Sequence, residues 1–416
     1  MPSTPRILLA STTSWPSGAR MAIAFAELGF EVAAIYPRGN PLSKTSILAR
    51  SYAYKSTYTL WALTSAIETF SPDLIVPGDD RVVRHLHSLY AAALRLNDTS
   101  IISLIERSIG NPSSYEITDS RIKLLTLASE EGLLIPNSCA IAEAEDLREW
   151  GRSRGFPWVL KRDASCAGEG VAMVVGLNEA LRKFQELSRP PSIRSLLKKL
   201  LVHSEPFPIA EYLSRRAAAV SVQQFIHGRS ANITVACLKG EVLAATTAVA
   251  LAVIGHHGAM TIARIIENEQ MLAAAKRLVD RLGLSGFVGF DFIIEEHTGD
   301  SYLIEMNPRF TQLTPVRMGV GHDLVGALSE SCFDRSMPNA PPITTEDKIA
   351  FFPQAWLCEP TNPLIRTSYH DVPWDYPELM RELITAPRSQ RWLWKLYQGW
   401  STSLFQAKQQ WSRMSS

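Results

Sequence analysis

Short apolar runs alternate with helical patterns of apolar residues at the start of the chain. Residues 6–10 and 30–36 are apolar runs typical of buried strands, and a helical pattern over 19–28 lies between them. A second helical pattern leads to a third apolar run at 73–77. Strands that alternate with helices favour a parallel sheet with right-handed crossovers. The pattern therefore predicts an α/β, Rossmann-like domain over residues 1–115.

Later in the chain the pattern changes to strands that are joined by tight turns. Two of them, at 286–294 and 301–306, are separated by a short polar turn and predict an antiparallel hairpin. Antiparallel strands with helices beside them indicate an α+β body. We expect this body to occupy residues 116–340.

The C-terminal segment, residues 341–416, differs in composition. It holds six of the ten Trp residues, and after Glu382 it has five basic residues and no acidic one. Apolar residues repeat every four positions along its last part and predict a helix with one aromatic face. We expect an accessory helix docked on the body of the protein or on a partner subunit, with a membrane surface or another partner as the alternative. The residues of this Trp stripe are Trp392, Leu396, Trp400 and Leu404.

The composition excludes several classes of function. Lys and Arg number 42 against 41 Asp and Glu, so the chain lacks the basic surplus of a general nucleic-acid-binding protein. No apolar run approaches the roughly 18 residues that a membrane-spanning helix requires. The five Cys residues are scattered without a C-x-x-C pair, which argues against a disulfide framework or a zinc site. We therefore expect a cytoplasmic protein with no nucleic-acid partner and no transmembrane span.

The two strands of the predicted hairpin carry polar residues at matching positions. Side chains two apart on a strand share a face, so Glu305 and Asn307 point the same way. A turn centred on Thr298 pairs Asp291 with Glu305, and the Cβ atoms of such a pair lie about 5 Å apart. Carboxylate and amide oxygens are ligands of Mg²⁺ or Mn²⁺. We interpret Asp291, Glu305 and Asn307 as a divalent-metal site rather than as surface acids, because the flanking residues are apolar.

A lysine ends an apolar strand and is followed by a loop of small residues. Lys161 closes the run that begins at Phe156, and burying its ammonium group is costly unless it meets an anion. The loop holds Ser165, Gly168 and Gly170, and its backbone N–H groups can fold over phosphates. Glycine loops are common and are weakly specific by themselves. The predicted metal site on the hairpin later in the chain makes the phosphate-binding interpretation of this loop stronger.

A third segment, Val222–Gly228, combines two glutamines with an aromatic residue on an extended stretch. An extended segment with an aromatic residue and exposed backbone could carry the edge of an adenine ring. An ordinary core strand is an equally good interpretation of this segment by itself.

Taken in order, these features resemble the ATP-grasp superfamily, especially its carboxylate–amine ligase-like members. The resemblance rests on Lys161 with its glycine loop, the Val-Gln-Gln-Phe-Ile-x-Gly segment, Asp291, and the Glu-x-Asn-Pro-Arg motif that ends at Arg309. It covers roughly residues 5–335. It implies an α/β pre-ATP-grasp domain and then an α+β ATP-grasp fold, with the helical Trp-rich tail as an addition. The ATP-grasp fold would include a lid subdomain at about 156–225, in which the loop 165–170 acts as the lid.

The resemblance also implies roles for single residues. Lys161 would contact the phosphates of ATP and Arg309 would face the transferred phosphoryl group, so these two are the expected catalytic residues. The family's usual Asp-Lys pair falls on Ser120-Arg121, where Arg121 keeps the positive charge and Lys123 is the less favoured substitute. The expected ATP contacts are Arg121, Lys161, Ser165, Gly168, Gly170, Gln223, Phe225 and Ile226, and the expected metal ligands are Asp291, Glu305 and Asn307.

By resemblance the chain is an ATP- and Mg²⁺-dependent, ADP-forming ligase. A carboxylate would be phosphorylated to an acyl phosphate, and an amine would then displace phosphate to form an amide or peptide bond. Another phosphoryl transfer, a carboxylation, or a non-catalytic nucleotide-binding role stays open as the alternative. The expected partners are a small-molecule carboxylate and an amine, and a homo-oligomer stays open. Arg264 and Arg317 are candidate anchors for the carboxylate, with ordinary ion pairs as an equally good interpretation.

Overall fold

The computed structural model describes six stretches of the chain, and the structural statements below concern these residues. No helix within them is long and apolar enough to cross a membrane. The loop residues Ser165 and Gly168 and the Trp stripe lie outside them. The six stretches are residues 4–162, 170–189, 219–255, 258–318, 321–334 and 344–385.

The N-terminal domain is a parallel sheet with helices on both faces. Its elements are β1 (Arg6–Ala10), α1 (Pro16–Glu27), β2 (Glu31–Tyr36), β3 (Arg50–Ala53), α2 (Thr59–Phe70), β4 (Leu74–Pro77), α3 (Asp80–Leu96) and α4 (Thr99–Ile109). The strands lie in the order β3-β2-β1-β4, and every pair is parallel. Leu8 packs against α2, α3 and α4, whereas Ile7 and Leu9 face α1 and the neighbouring domain. Successive strand residues point to opposite faces, so both faces of this sheet are buried. The predicted α/β fold class of this part of the chain is confirmed.

The next part of the chain forms a small antiparallel sheet. Its elements are α5 (Tyr115–Thr118), α6 (Arg121–Glu130), β5 (Ser138–Ile141), α7 (Ala144–Ser153), β6 (Trp158–Arg162), β7 (Val171–Val174), α8 (Leu177–Ser188) and β8 (Val220–Gln224). The strands lie in the order β5-β8-β6-β7. Trp158, Leu160 and Val222 are buried against α7 and α8. Because side chains alternate along a strand, Lys161 and Gln223 lie on the opposite face.

The large sheet that follows carries the predicted hairpin. Its elements are β9 (Gly228–Leu238), β10 (Glu241–Val253), β11 (Met260–Ile265), α9 (Glu269–Leu282), β12 (Gly286–Glu295), β13 (Ser301–Asn307), α10 (Leu324–Phe333), β14 (Lys348–Ala350), α11 (Gln354–Cys358), β15 (Tyr369–His370) and α12 (Pro377–Ile384). The seven strands lie in the order β13-β12-β9-β10-β11-β14-β15. Phe290 and Phe292 pack one face on α6 and α9. The other face carries Asp291, and Phe287 packs there against Phe25 of the N-terminal domain, with ring centroids 6.3 Å apart.

Residues 344–385 connect the N-terminal domain to the large sheet. β14 pairs with β11 and so extends the sheet. The Asp371 carboxylate accepts a hydrogen bond from the backbone N–H of Phe352 at 2.6 Å and forms an ion pair with Arg20 of α1 at 2.9 Å. Both side chains of this pair are largely buried, and α12 packs against α1 beside it. This stretch is therefore part of the packed structure.

We expect truncation at Pro341 to destabilise the protein strongly and truncation after Thr385 to have little effect. The first change removes β14, β15 and Asp371, and loss of one partner of a buried ion pair by itself costs about 3–5 kcal/mol. The second change keeps all of these contacts. Thermal unfolding of the two truncated chains and of the full-length chain is the measurement. Equal melting temperatures for residues 1–340 and for the full chain would contradict this prediction.

Candidate active site

The predicted pair of carboxylates is present, because Asp291 of β12 lies opposite Glu305 of β13. The predicted turn centre was wrong by half a residue, since Ile294 pairs with Ser301 and the hairpin is therefore centred between His297 and Thr298. A bulge at Ile304 restores the pairing, because it shifts the register by one residue between Phe292 and Asp291. Without the bulge, Ile304 would pair with Asp291 and Glu305 would face the other side of the sheet.

Asp291 is held by two amide side chains. Its Oδ1 accepts a hydrogen bond from Asn232 Nδ2 at 2.6 Å, and its Oδ2 accepts one from Asn307 Nδ2 at 2.9 Å. Burial raises the pKa of Asp291 to about 6, and the nearby charge of Glu305 acts in the same direction. The two amides and Arg309 lower this pKa in part. Burial and the charge of Glu305 thus disfavour the ionised form of Asp291, and a bound cation would stabilise this form.

Asn232 is a site residue that the sequence analysis missed. It lies on β9 opposite Asp291, and its Oδ1 accepts a hydrogen bond from Thr234 Oγ1 at 2.8 Å. The sequence did contain a signal for it, because Asn232 and Thr234 alternate with apolar residues along a buried strand. Buried polar side chains need hydrogen-bond partners, so two of them on one face of a strand indicate a polar site.

Arg121 and Lys161 supply positive charge beside the two carboxylates. Arg121 Nη2 donates to Glu305 Oε1 at 2.5 Å, and the Arg121 side chain is only 9% exposed. Lys161 is buried, and this burial together with the nearby charge of Arg121 lowers its pKa to about 8, although Glu305 and Asp291 act in the opposite direction. Lys123 instead forms an exposed ion pair with Glu116. Of the two candidate substitutes for the family's lysine, Arg121 is therefore the one that contacts the hairpin.

Arg309 lies between the hairpin and the N-terminal domain. Its Nη2 donates to Asn307 Oδ1 at 3.0 Å, and its Nε donates to Asp80 Oδ1 at 3.1 Å. Asp80 is the first residue of α3, so an acid of the N-terminal domain reaches the predicted catalytic arginine. Sequence analysis did not single out Asp80, because the two residues are far apart in the chain.

Gln223 lies on the same face of the small sheet as Lys161. In the register of β6 and β8, Val159 pairs with Gln223 and Lys161 pairs with Ser221. Gln223 is buried, and its Nε2 has no hydrogen-bond partner among the described residues. A buried amide donor without a partner is costly unless a ligand accepts from it.

The remaining predicted contacts lie near the same strands. Phe225 and Ile226 directly follow β8, and the backbone N–H of Phe225 donates to Pro157 O at 3.4 Å. The carbonyl oxygen of Gly170 accepts a hydrogen bond from the backbone N–H of Arg162 at 2.8 Å, which places Gly170 at the far end of the predicted lid loop.

The two candidate anchors for a substrate carboxylate have other partners. Arg264 forms an ion pair with Asp347 at 3.2 Å, and both side chains are exposed. Arg264 lies opposite Val249, on the face of the large sheet that is turned away from Asp291. Arg317 lies 4.0 Å from Glu27. The ion-pair interpretation therefore describes both residues in this structure.

The described residues contain no cluster of three or more His, Cys, Asp or Glu side chains that could hold a metal ion. The donor set at the hairpin is two carboxylates and an amide. This set suits a hard cation that shares its coordination with phosphate oxygens, as Mg²⁺ does.

Known proteins share parts of the sequence and the fold of this chain. Residues 121–313 match a family model described as an ATP-grasp domain. The formate-dependent phosphoribosylglycinamide formyltransferase of Prochlorococcus marinus (strain MIT 9303) is 29% identical over 144 residues. That alignment covers 34% of this chain and 34% of the formyltransferase, so the chain matches about a third of this curated relative.

Solved structures share the fold over most of the chain. The ADP complex of an N5-carboxyaminoimidazole ribonucleotide synthetase has a TM-score of 0.56 at 16% identity, covering 82% of this chain and 80% of that one. The L-amino acid ligase of Bacillus licheniformis has a TM-score of 0.55 at 16% identity, covering 82% and 79%. These structures confirm the predicted fold class, and the family model spans the hairpin, Lys161 and Gln223. The chain therefore has an ATP-grasp fold, in which residues 121–313 match the ATP-grasp domain.

Proposed function

We propose that this protein is an ATP- and Mg²⁺-dependent ligase that activates a carboxylate as an acyl phosphate and joins it to an amine. The observation that carries this proposal is the pairing of Asp291 with Glu305 beside two largely buried cations, Arg121 and Lys161. A magnesium-bound polyphosphate carries both kinds of charge, because its cation attracts carboxylates and its phosphates attract positively charged side chains. An acidic pair beside a cationic pair is therefore suited to bind it.

The metal would be held by oxygen atoms of Asp291, Glu305 and Asn307, with Mn²⁺ as a substitute for Mg²⁺. When bound, the cation neutralises charge on the ATP phosphates. Glu305 would then exchange its contact with Arg121 for one with the cation, which leaves Arg121 beside the phosphates. Arginine offers several donors in one plane and is well suited to such a move.

ATP would lie between the small sheet and the large sheet. Lys161 supplies an ammonium group that gains from an anion, and Gln223 Nε2 supplies a donor for the adenine edge. Ile226 would contribute its backbone and Phe225 its ring.

Chemistry at this site would be positioning and charge neutralisation. A carboxylate oxygen of the substrate attacks the γ-phosphorus, the bond from that phosphorus to the bridging oxygen breaks, and ADP leaves. Arg309 would stabilise the charge on the transferred group. The amine then attacks the acyl carbon, loses a proton and displaces inorganic phosphate.

Similar proteins support the ligase class. The names of three of them describe a ligase of amino acids, a carboxyaminoimidazole ribonucleotide synthetase and a formate-dependent formyltransferase. A small-molecule carboxylate and an amine are the proposed substrates. Cys139, Cys237, Cys332 and Cys358 are free thiols, which supports our proposal of a reducing, cytoplasmic location.

The proposed function predicts that ADP release depends on an organic acid and that hydroxylamine traps the activated acid as a hydroxamate. A panel of amino acids and other small carboxylic acids is incubated with ATP, Mg²⁺ and hydroxylamine, and ADP and hydroxamate are measured together. Equal amounts of both products support the ligase. ADP release with bicarbonate alone would indicate carboxylation, and ATP binding without ADP release under any condition would indicate a non-catalytic protein.

A further inference from the structure

The carboxyl end of β4 lies directly against the segment that follows the metal hairpin. The backbone N–H of Phe310 donates to Pro77 O at 3.4 Å. A Cβ atom placed on Gly78 would lie 3.1 Å from the Phe310 ring, so Gly78 permits this close approach. The N-terminal domain and the residue after Arg309 are thus packed together without an intervening layer.

Two adjacent acids at this end of β4 have different partners. The Asp79 carboxylate accepts hydrogen bonds from Ser11 Oγ at 3.1 Å, from Thr12 Oγ1 at 2.8 Å and from the backbone N–H groups of Thr12 at 2.5 Å and Val82 at 3.1 Å. Asp79 therefore fixes the loop after β1 and caps α3. Asp80 makes its contact outside the domain, with Arg309.

The Arg309 guanidinium is fixed from two sides. Asp80 holds Nε at 3.1 Å, and Asn307 Oδ1 holds Nη2 at 3.0 Å. Asn307 in turn donates to Asp291, so the contacts run from the N-terminal domain to the predicted metal ligands without a break. A carboxylate and an amide in these places restrict the rotation of the arginine and set the plane of its guanidinium group.

We propose that Asp80 is a positioning residue that orients Arg309 toward the transferred phosphoryl group, so that the N-terminal domain influences the chemical step through this arginine. This proposal rests on the proposed ligase function. Asp80 acts through the arginine and need not touch ATP. Its loss should therefore slow the chemical step and leave the affinity for ATP nearly unchanged.

The test uses Asp80→Asn in the full-length chain. We expect kcat for acid-dependent ADP release to fall about 10–100-fold, since small misplacements of catalytic groups have effects of this size. The Kd for Mg·ATP, measured by calorimetry, should change less than about threefold. Asp80→Glu should recover part of the lost kcat. The helix cap is supplied by Asp79, so the melting temperature should stay close to that of the unmodified protein.

A matched control and a double-mutant cycle make the result specific. Asp98→Asn removes an equal charge from the same domain and keeps a helix cap, because Asn caps as well as Asp, so it should leave kcat unchanged. In an Arg309→Lys background, Asp80→Asn should cause little further loss. Full additivity in that background, or normal kcat for Asp80→Asn, would overturn the proposal. If the unmodified protein forms no hydroxamate from any acid, the proposed function fails instead.

Discussion

Replacing Glu305 with glutamine is expected to lower turnover by about 10²–10³-fold while the protein stays folded. The carboxylate that pairs with Arg121 in this structure would hold the cation, which would neutralise charge on the ATP phosphates. Glutamine keeps the size and one oxygen but loses the charge, so phosphate charge is left without compensation when the transition state forms. The measurement is kcat for acid-dependent ADP release at saturating ATP, repeated over a range of Mg²⁺ concentrations.

Glu295→Gln is the matched control on the same hairpin. Its carboxylate accepts hydrogen bonds from the backbone N–H groups of His297 and Thr298 in the exposed turn. The same charge is therefore removed at the turn end of the hairpin, and turnover should remain within about twofold, as expected of a surface change. Near-normal turnover of Glu305→Gln at ordinary Mg²⁺ would mean that this carboxylate is not a metal ligand.

Replacing Lys161 with methionine is expected to weaken ATP binding as well as turnover. Its ammonium group acts on the phosphates in the ground state, so the Kd for ATP should rise about 10-fold or more, and kcat should fall too. The unliganded protein should be at least as stable as before, because methionine removes a buried cation and fills similar space. Calorimetry with ATP and thermal unfolding without ATP measure the two effects separately.

Proton uptake gives this variant a second readout. The pKa of Lys161 is about 8 without ligand, and phosphate charge would raise it, so binding of ATP near pH 8 should take up protons. This uptake, measured in buffers of different ionisation enthalpy, should be absent in Lys161→Met. It should persist in Lys183→Met, which removes a surface lysine paired with Glu186. Unchanged uptake and ATP affinity in Lys161→Met would show that Lys161 does not contact the phosphates.

Local patterns predicted the two strands of the hairpin that carries Asp291 and Glu305. The apolar runs of β12 and β13 and the polar turn between them are short-range features, so their pairing could be expected from the sequence. The bulge at Ile304 could not, because no glycine or other local signal marks it. The predicted pairing of Asp291 with Glu305 was nevertheless correct, since the misplaced turn centre and the unforeseen bulge cancel.

Helices α3 and α4 were not predicted, although local signals for both exist. Asp79 and Asp98 precede amphipathic stretches and accept hydrogen bonds from first-turn N–H groups, at 3.1 Å to Val82 and at 3.2 Å to Ser100. An Asp directly before an amphipathic stretch is a typical N-cap signal and predicts the start of each helix.

Contacts between distant parts of the chain could not be predicted. The ion pair of Arg20 with Asp371 joins residues 351 positions apart, and that of Arg309 with Asp80 joins residues 229 positions apart. Each depends on how whole domains pack, and a single sequence carries no periodic signal for such packing. The pairing of Asp291 with Glu305 was therefore accessible from the sequence, whereas the contact of Asp80 with Arg309 required the structure.

The most direct test of the proposed reaction follows oxygen from the substrate acid. An acid that supports ADP release is labelled with ¹⁸O in its carboxylate and incubated with the enzyme, ATP, Mg²⁺ and the amine. Attack of the carboxylate on the γ-phosphorus predicts that one ¹⁸O atom per turnover appears in inorganic phosphate. Formation of the amide with unlabelled phosphate would contradict the acyl-phosphate route.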